Sequence, residues 1–424
     1  MNEATPAANV AEAAQPSRAA FAFIFVTVLL DMLAIGIVIP VLPTLVSGFL
    51  GGSAASTAEM LGIFGTVWAL MQFLASPTMG ALSDRFGRRP VILISNIGLG
   101  LDYILMAFAP SLSWLFVGRV ISGITAASIS TAFAYIADVT PPDRRAARFG
   151  MIGVAFGVGF VVGPALGGIA GVVDPRLPFW IAAGLSLANA LYGWLILPES
   201  LPPESRMAFA WKRANPLGAL KLLRSHRELT ALAAVNFLDA VAHAVLPSMG
   251  VLYMLYRYGW DERMVGFVLA GVGVCSMVVQ GGLIGPVVKR FGERRTLLAG
   301  LVFGVGGFLL FGLAQTGAIF ILAIPFTALW GFANAAALGL MSRHVGADEQ
   351  GQLQGANQSL QGIANMIGPA LFAFSFALAI RPELSVKLPG TPFVIAAFLV
   401  LGALVVGWRA TGGGVNVPSP PYVN

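Results

Sequence analysis

Apolar stretches about as long as one membrane-spanning helix recur along this 424-residue chain and constrain its fold more than any other feature. A helix needs about 20 mainly apolar residues to cross the hydrocarbon core of a bilayer. Twelve stretches meet that requirement, so the sequence predicts an all-α polytopic membrane protein with twelve transmembrane helices. The predicted spans are 19–46, 58–80, 91–109, 113–137, 147–171, 177–197, 229–256, 262–286, 296–313, 317–342, 352–379 and 389–409.

The low content of charged residues excludes the other protein classes. Asp, Glu, Lys and Arg make up 10% of the chain and hydrophobic residues 57%, whereas soluble domains carry roughly 25% charged residues. A water-facing globular enzyme and a disordered chain are both incompatible with this balance. Cys275 is the single cysteine, which excludes a disulfide-stabilised scaffold, and with three histidines in the chain no metal cluster is expected.

Lysine and arginine are distributed unevenly between the two sides of the predicted membrane. The loops and tails on the side of the N-terminus hold 19 of the 25 Lys and Arg residues, the opposite side holds 5, and Arg119 lies inside a span. Cytoplasmic loops carry such an excess, so both termini are expected in the cytoplasm. Topology thereby accounts for the net charge of +6, and no nucleic-acid partner is expected.

Two segments recur at one offset and reveal an internal repeat. Residues 80–89 (GALSDRFGRR) return as 285–294 (GPVVKRFGER), and Gly163-Pro164 returns as Gly368-Pro369, in both cases 205 residues later. Such a repeat predicts two pseudo-symmetric six-helix bundles with a site between them near the middle of the membrane.

The repeat and the local composition together predict the division of the chain. Residues 1–17 lack the positive start and short apolar run of a secretory leader, and the stretch between spans six and seven is Pro-rich and basic. The predicted parts are a disordered cytoplasmic tail (1–18), an N-terminal six-helix bundle (19–197), a cytoplasmic central linker (198–228), a C-terminal six-helix bundle (229–409) and a C-terminal tail (410–424).

Three charged residues lie well inside predicted spans of the N-terminal half, away from the span ends: Asp31, Asp102 and Arg119. An ionised side chain at the centre of a span costs about 2.5–3.5 kcal/mol and marks function by default. Two carboxylates with one guanidinium leave one carboxylate in excess, which suits a group that binds and releases a proton. The alternative is a structural salt bridge together with an aspartate at a hydrated helix end.

Asp239 and His243 are the corresponding polar pair of the C-terminal half. They lie four residues apart in span seven, so they share one helix face. One reading is a second protonation or substrate site that faces the interior from this half. The other is an i,i+4 hydrogen bond that only shields two polar groups.

The loop after span two identifies the family that the sequence resembles. Its segment 80–90 (GALSDRFGRRP) is similar to the signature between spans two and three of the major facilitator superfamily. Within that superfamily the chain most resembles the tetracycline/proton antiporter family. That likeness lies in Leu30-Asp31, Ala69-Leu70-Met71-Gln72, Leu101-Asp102-Tyr103, Gly118-Arg119, Tyr258-Gly259-Trp260 and 351–355 (GQLQG).

The resemblance implies roles for the charged residues at the cytoplasmic ends of the spans. By it, Asp84, Arg88 and Asp138 form a latch that closes on the cytoplasmic side in the outward-facing state and opens in the inward-facing state. Without the resemblance, these charges with Arg85 and Arg89 are topogenic and hold the loop in the cytoplasm. Arg89 in particular is expected to act mainly in this second way.

Span five carries a cluster of small residues: Gly159, Gly163, Pro164, Gly167 and Gly168. Glycines at every fourth position allow helices to approach closely, and the proline favours a kink. The cluster resembles the antiporter signature of the superfamily, and it is expected to pack at the interface of the two halves. The alternative is ordinary helix packing.

The sequence also departs from the tetracycline exporters. Ser276 and Phe303 stand where that family has a histidine in span eight and an aspartate in span nine, whereas Gln280 is retained. The resemblance therefore implies a proton-coupled exporter, but it does not imply that tetracycline is the substrate. Gln72 and Gln280 are expected to line the interior, as is a polar stripe on span eleven, because such stripes avoid lipid. The stripe comprises Gln354, Gln358, Gln361 and Asn365.

These observations predict a proton-coupled antiporter of the bacterial inner membrane that exports a small hydrophobic or amphiphilic compound. No catalytic residue, metal or cofactor is expected, and without a P-loop the proton gradient would be the energy source. The expected partners are the substrate, protons and the lipid bilayer, with the protein acting as a monomer. Two alternatives stay open: a proton symporter that takes up a metabolite, and a membrane receptor or scaffold that does not transport.

Overall fold

The computed structural model describes residues 18–126, 128–141, 144–207, 218–224, 227–346 and 349–412, and these are almost entirely helical. The predicted tails lie mostly outside the described residues, and so does much of the predicted central linker. The α-helices are α1 (Arg18–Val38), α2 (Leu42–Phe49), α3 (Ala54–Phe86), α4 (Arg88–Phe108), α5 (Leu112–Thr125), α6 (Ser128–Val139), α7 (Arg145–Val173), α8 (Leu177–Ile196), α9 (Arg227–His243), α10 (Val245–Tyr258), α11 (Glu262–Val278), α12 (Ile284–Leu313), α13 (Gly317–Ala328), α14 (Phe332–Ser342), α15 (Gln350–Ala379) and α16 (Thr391–Gly412).

The helices form twelve spans in two six-helix bundles, which confirms the predicted fold. Within the described residues, 11 continuous helical segments are long and apolar enough to cross a membrane. One of them, Glu262–Leu313, has 52 residues and turns back at Gly292, where φ is 77° and ψ is 162°. That segment therefore holds spans eight and nine.

Spans one, seven and ten are each interrupted within the described residues, whereas the sequence predicted them as continuous. Span one breaks between α1 and α2 at Pro40, which cannot donate a helical hydrogen bond. Span seven breaks at Ala244, and span ten breaks at a 3₁₀ turn over Leu329–Gly331. Each of these three helices opens a group of three spans, so the break recurs with the internal symmetry.

The two bundles meet mainly through two pairs of helices, α3 with α15 and α7 with α11, and α10 also contacts α3. The loops divide into a basic end, which includes the turn at 86–88, and an outer end, which includes the turn at 51–53. Close contacts between the bundles run from the outer end to about half the length of these helices. Among the glycine contacts, Gly157 lies against Met277 and Gly362 lies against Phe73.

The interior opens toward the basic end. Gln280, Gln354 and Gln358 lie on the half of their helices nearer the basic end, and all three side chains are exposed. At the outer end, by contrast, the Thr44 hydroxyl donates a hydrogen bond of 2.6 Å to Glu262 of the other bundle. The structure is therefore closed at the outer end and open at the basic end.

Candidate functional site

Asp102 and Arg119 face each other between spans three and four. Asp102 is 1% exposed, and its Oδ2 lies 4.0 Å from the Arg119 guanidinium. Among the described residues, neither Asp102 oxygen accepts a hydrogen bond. An aspartate at a hydrated helix end, one of the alternatives considered from sequence, does not fit this burial.

The approach of the two helices depends on Gly118. A methyl group added there would lie 2.9 Å from Asp102 Oδ1 and equally close to Met106 Cγ. The Met106 sulfur in turn receives an Arg119 N–H at 2.8 Å. Arg119 is therefore held by a carboxylate on one side and a soft thioether acceptor on the other.

Asp31 pairs with a neutral amide and not with the Arg119 guanidinium. It is 5% exposed and accepts a hydrogen bond of 2.8 Å from the Asn189 amide of span six. The same amide donates to the Thr27 carbonyl at 2.9 Å. Asp31 is thus held by the amide of Asn189. This residue was not predicted as part of the site, although a polar residue within a span is a visible signal in the sequence.

Span six connects the helices that carry these charges. It packs against span one, which holds Asp31, and against span three, which holds Asp102. The three charged residues of the N-terminal half therefore share one buried region. They form an amide-bound carboxylate and a loosely paired carboxylate–guanidinium couple, an arrangement that suits proton binding and release.

Asp239 and His243 are joined through Trp330 and not directly. The Trp330 indole N–H donates to Asp239 Oδ1 at 2.6 Å, and the His243 ring lies 5.4 Å from the Trp330 ring at an interplanar angle of 34°. No hydrogen bond joins Asp239 to His243 in the part of the chain that the structure describes. The alternative of a direct i,i+4 hydrogen bond therefore does not describe this pair, because the Trp330 ring lies between the two residues.

The remaining predicted interior residues are placed as follows. Gln280 is exposed and lies beside Gly331, the residue after Trp330. Gln72 is half-buried in span two. Phe303, at the position of the exporters' aspartate, stacks edge-on against Phe326 with ring centroids 5.1 Å apart.

Arg88 connects two carboxylates at the basic end. It lies 2.5 Å from Asp84 and 3.0 Å from Asp138 at the end of span four, and it also donates to the Ser83 hydroxyl at 2.6 Å. Its side chain is only 11% exposed. The pairing of Arg88 with Asp84 and Asp138 that the family resemblance implies is therefore present. All of these partners belong to the N-terminal bundle, in a structure that is open at the basic end.

Glu199 and Arg89 fix this loop in ways that the sequence did not reveal. Glu199 accepts backbone N–H groups of Arg88 and Arg89 at 2.8 and 3.2 Å, so a carboxylate caps the positive end of α4. Arg89 in turn donates to the carbonyls of Gly193 and Trp194 at the end of α8. Arg89 therefore caps a helix and is more than a topogenic charge, whereas Arg85 is exposed over the Phe86 ring.

The small residues of span five divide between two neighbours. Gly159 and Gly163 lie against Met32 and Gly36 of span one, within the same bundle, and Gly167 lies against Ile37. These three glycines therefore pack within the N-terminal bundle and not at the interface of the two halves.

The opposite side of span five forms that interface. Gly168 lies against the backbone of Glu262 and Arg263, and the Pro164 carbonyl lies against Gly266. Because side chains at these positions would collide with backbone, the small residues set how closely the two bundles approach at the outer end.

Comparison with known proteins agrees with this architecture. The sequence model of the Major Facilitator Superfamily matches residues 24–369. The chain is 37% identical over 351 residues to the tetracycline resistance protein, class C, of Escherichia coli, covering 83% of this chain and 88% of that protein. It is 36% identical to the class D protein of Salmonella ordonez, with the same coverage.

A solved structure shows the same fold. The human organic anion transporter MFSD10 (TETRAN) superposes with a TM-score of 0.69 at 25% sequence identity, covering 92% of this chain and 99% of that one.

Proposed function

The chain belongs to the major facilitator superfamily, and we propose that this membrane transporter is a proton-coupled antiporter that exports a small hydrophobic or amphiphilic compound. The relatives at 36–37% identity are named for tetracycline resistance. Tetracycline is accordingly one candidate substrate, although Ser276 and Phe303 replace two polar residues of that family.

The observation that carries the proposal is the state of Asp102. It is fully enclosed, yet its carboxylate has one guanidinium at 4.0 Å and no hydrogen bond among the described residues. A permanently charged carboxylate is costly in such a place. A carboxylate that alternates between protonated and Arg119-paired states fits it better, and Asp31 supplies a second such group nearby.

The open basic end supports loading from the cytoplasm. If the basic end is cytoplasmic, as the distribution of Lys and Arg indicates, a compound enters the interior from the cytoplasm in this conformation. Proton uptake at the other side would then drive the opposite half of the cycle. Each net positive charge that moves inward provides about 2.3 kcal/mol per 100 mV of membrane potential, and the pH gradient drives an exchange without net charge movement. The proposal therefore includes no bound cofactor, and it takes the protein as a monomer.

The test uses inverted membrane vesicles with a respiration-driven pH gradient, read by a quenched acridine dye. A compound that enters in exchange for protons restores the fluorescence. We expect one or more amphiphilic compounds, with tetracycline in the panel, to do so with the native protein. We expect no response with Asp31→Asn or Asp102→Asn.

Glu383→Gln is the matched control, because it removes an exposed carboxylate at the outer end and is expected to behave as the native protein. Equal responses from the native protein and both Asn variants would contradict the assignment of these carboxylates. Accumulation in right-side-out vesicles under an inward proton gradient would identify a symporter instead.

A further inference from the structure

Three helices of the C-terminal bundle depart from α geometry at one place. Span seven breaks at Ala244, span eight forms a π-helix over Val279–Leu283, and span ten forms the 3₁₀ turn over Leu329–Gly331. The π-helix and the 3₁₀ turn contact each other. Such irregular turns are uncommon and occur frequently at functional sites, and discontinuous helices in transporters surround ligands near the middle of the membrane.

Four side chains project from these irregular segments or lie within two turns of them. Asp239 and His243 precede the break in span seven, Gln280 lies in the π-helix, and Trp330 lies in the 3₁₀ turn. Trp330 is buried against Phe308 with ring centroids 4.8 Å apart. In contrast, His243 and Gln280 are exposed, so they form the open side of the cluster.

The Asp239 carboxylate is oriented by one hydrogen bond and can accept more. One oxygen accepts the Trp330 N–H at 2.6 Å, and a carboxylate has about four acceptor positions in all. Asp239 is half-buried. Its other oxygen is not among the buried polar atoms of the described residues that lack a hydrogen-bond partner. This geometry leaves acceptor capacity directed to the open interior.

The balance of charge in the interior favours cations. The spans enclose three carboxylates (Asp31, Asp102 and Asp239) and one guanidinium (Arg119). In the C-terminal bundle the Asp239 carboxylate has no basic partner within ion-pair distance among the described residues. An anionic ligand would meet an uncompensated carboxylate there, at a cost that rises in a low dielectric.

We propose that Asp239, His243, Gln280 and Trp330 form a ligand site for a planar aromatic cation. The cationic group binds Asp239, the ring system stacks on His243 above Trp330, and Gln280 offers a hydrogen bond at the rim. Aromatic faces add attraction for the cation. This inference deepens the proposed export function, on which it rests for its physiological meaning, but the site itself binds without any gradient.

The test measures equilibrium binding to the purified full-length protein in lipid nanodiscs with no pH gradient. The probes are rhodamine 6G, a cationic xanthene dye, and fluorescein, an anionic dye with the same ring system, and empty nanodiscs correct for partition into lipid. We expect saturable binding of rhodamine 6G, read by fluorescence anisotropy, and none of fluorescein. Asp239→Asn keeps the acceptor for Trp330 but removes the charge, and it should weaken binding by about tenfold or more.

Two further variants separate a local effect from misfolding. His243→Ala removes the exposed stacking surface and should also weaken binding, whereas Glu383→Gln should leave it unchanged. Equal binding of rhodamine 6G to the native protein and to Asp239→Asn would overturn the site. Binding of fluorescein that is tighter than binding of rhodamine 6G would also overturn it. Proton exchange in vesicles is scored separately: its absence, with Asp239-dependent binding intact, would count against antiport and not against this site.

Discussion

Glu293 occupies in the C-terminal bundle the position that Arg88 occupies in the N-terminal bundle, and each forms the equivalent ion pair with the charges exchanged. Arg88 Nε lies 3.0 Å from Asp138, and Glu293 Oε2 lies 2.9 Å from Arg343. The partners are themselves related by the 205-residue repeat. The two halves have therefore kept a contact between the same two helix ends while reversing the sign of both residues.

The backbone explains why this contact is retained. Gly87 and Gly292 precede the paired residues and have φ angles of 103° and 77°, which residues with a side chain rarely adopt. The same tight turn therefore aims the following side chain at the end of the neighbouring helix in both bundles. The pairs differ in burial, since the Arg88 side chain is 11% exposed and that of Arg343 is 59% exposed.

This difference predicts unequal effects on stability. Arg88→Ala leaves two carboxylates without their common partner and should lower the free energy of unfolding by about 2–4 kcal/mol. Arg343→Ala removes an arginine that is 59% exposed and pairs with a single carboxylate, so it should cost less, about 1 kcal/mol. Thermal unfolding followed by tryptophan fluorescence in detergent would measure both, and equal midpoints for the two variants would contradict the assignment.

The close approach of spans three and four predicts the effect of a single methyl group. Gly118→Ala should push Asp102 and Met106 away from Arg119 and reduce dye dequenching in inverted vesicles as strongly as Asp102→Asn does. Gly184→Ala is the control, because a methyl group there has no heavy atom within 4 Å in the described structure. Full activity of the Gly118 variant would show that the geometry of the pair is unimportant.

The hydrogen bond between Thr44 and Glu262 predicts a shift in conformation. Thr44→Val keeps the shape of the side chain but loses the 2.6 Å bond across the closed outer end, so the outward-open state should become more populated. Spin labels at Ala54→Cys and Glu383→Cys, in a Cys275→Ser background, report the separation of the bundles there. A longer mean distance is expected, and an unchanged distance distribution would rule out this bond as a gate.

Span five predicts a contrast between two of its glycines. Gly163→Ala would place a methyl group 2.7 Å from the Gly36 Cα, and overpacking of this kind costs about 1–3 kcal/mol. Gly153→Ala has open space in the same helix and should be neutral or stabilising by up to about 1 kcal/mol. Unfolding midpoints test the pair, and a stable Gly163→Ala protein would mean that spans one and five are not tightly packed.

Much of the fold could be predicted from the sequence because a bilayer imposes a simple local requirement. The predicted span 177–197 differs from α8 (Leu177–Ile196) by one residue at one end, since apolar length alone determines where a helix enters and leaves the membrane. The interruption at Ala244 was not predicted, although the sequence holds a local cause. Pro247 lies three residues later and has no N–H to donate to the His243 carbonyl.

The sequence by itself determined the twelve spans, the twofold repeat and the few charges placed where lipid would penalise them. Tertiary structure decided the partners: Asn189 for Asp31, Trp330 between Asp239 and His243, and Glu199 for the first turn of α4. Hydropathy and helical periodicity are properties of one segment, whereas these contacts join residues up to 158 positions apart. Only the packing of one helix against another fixes which of the possible polar partners a buried carboxylate meets.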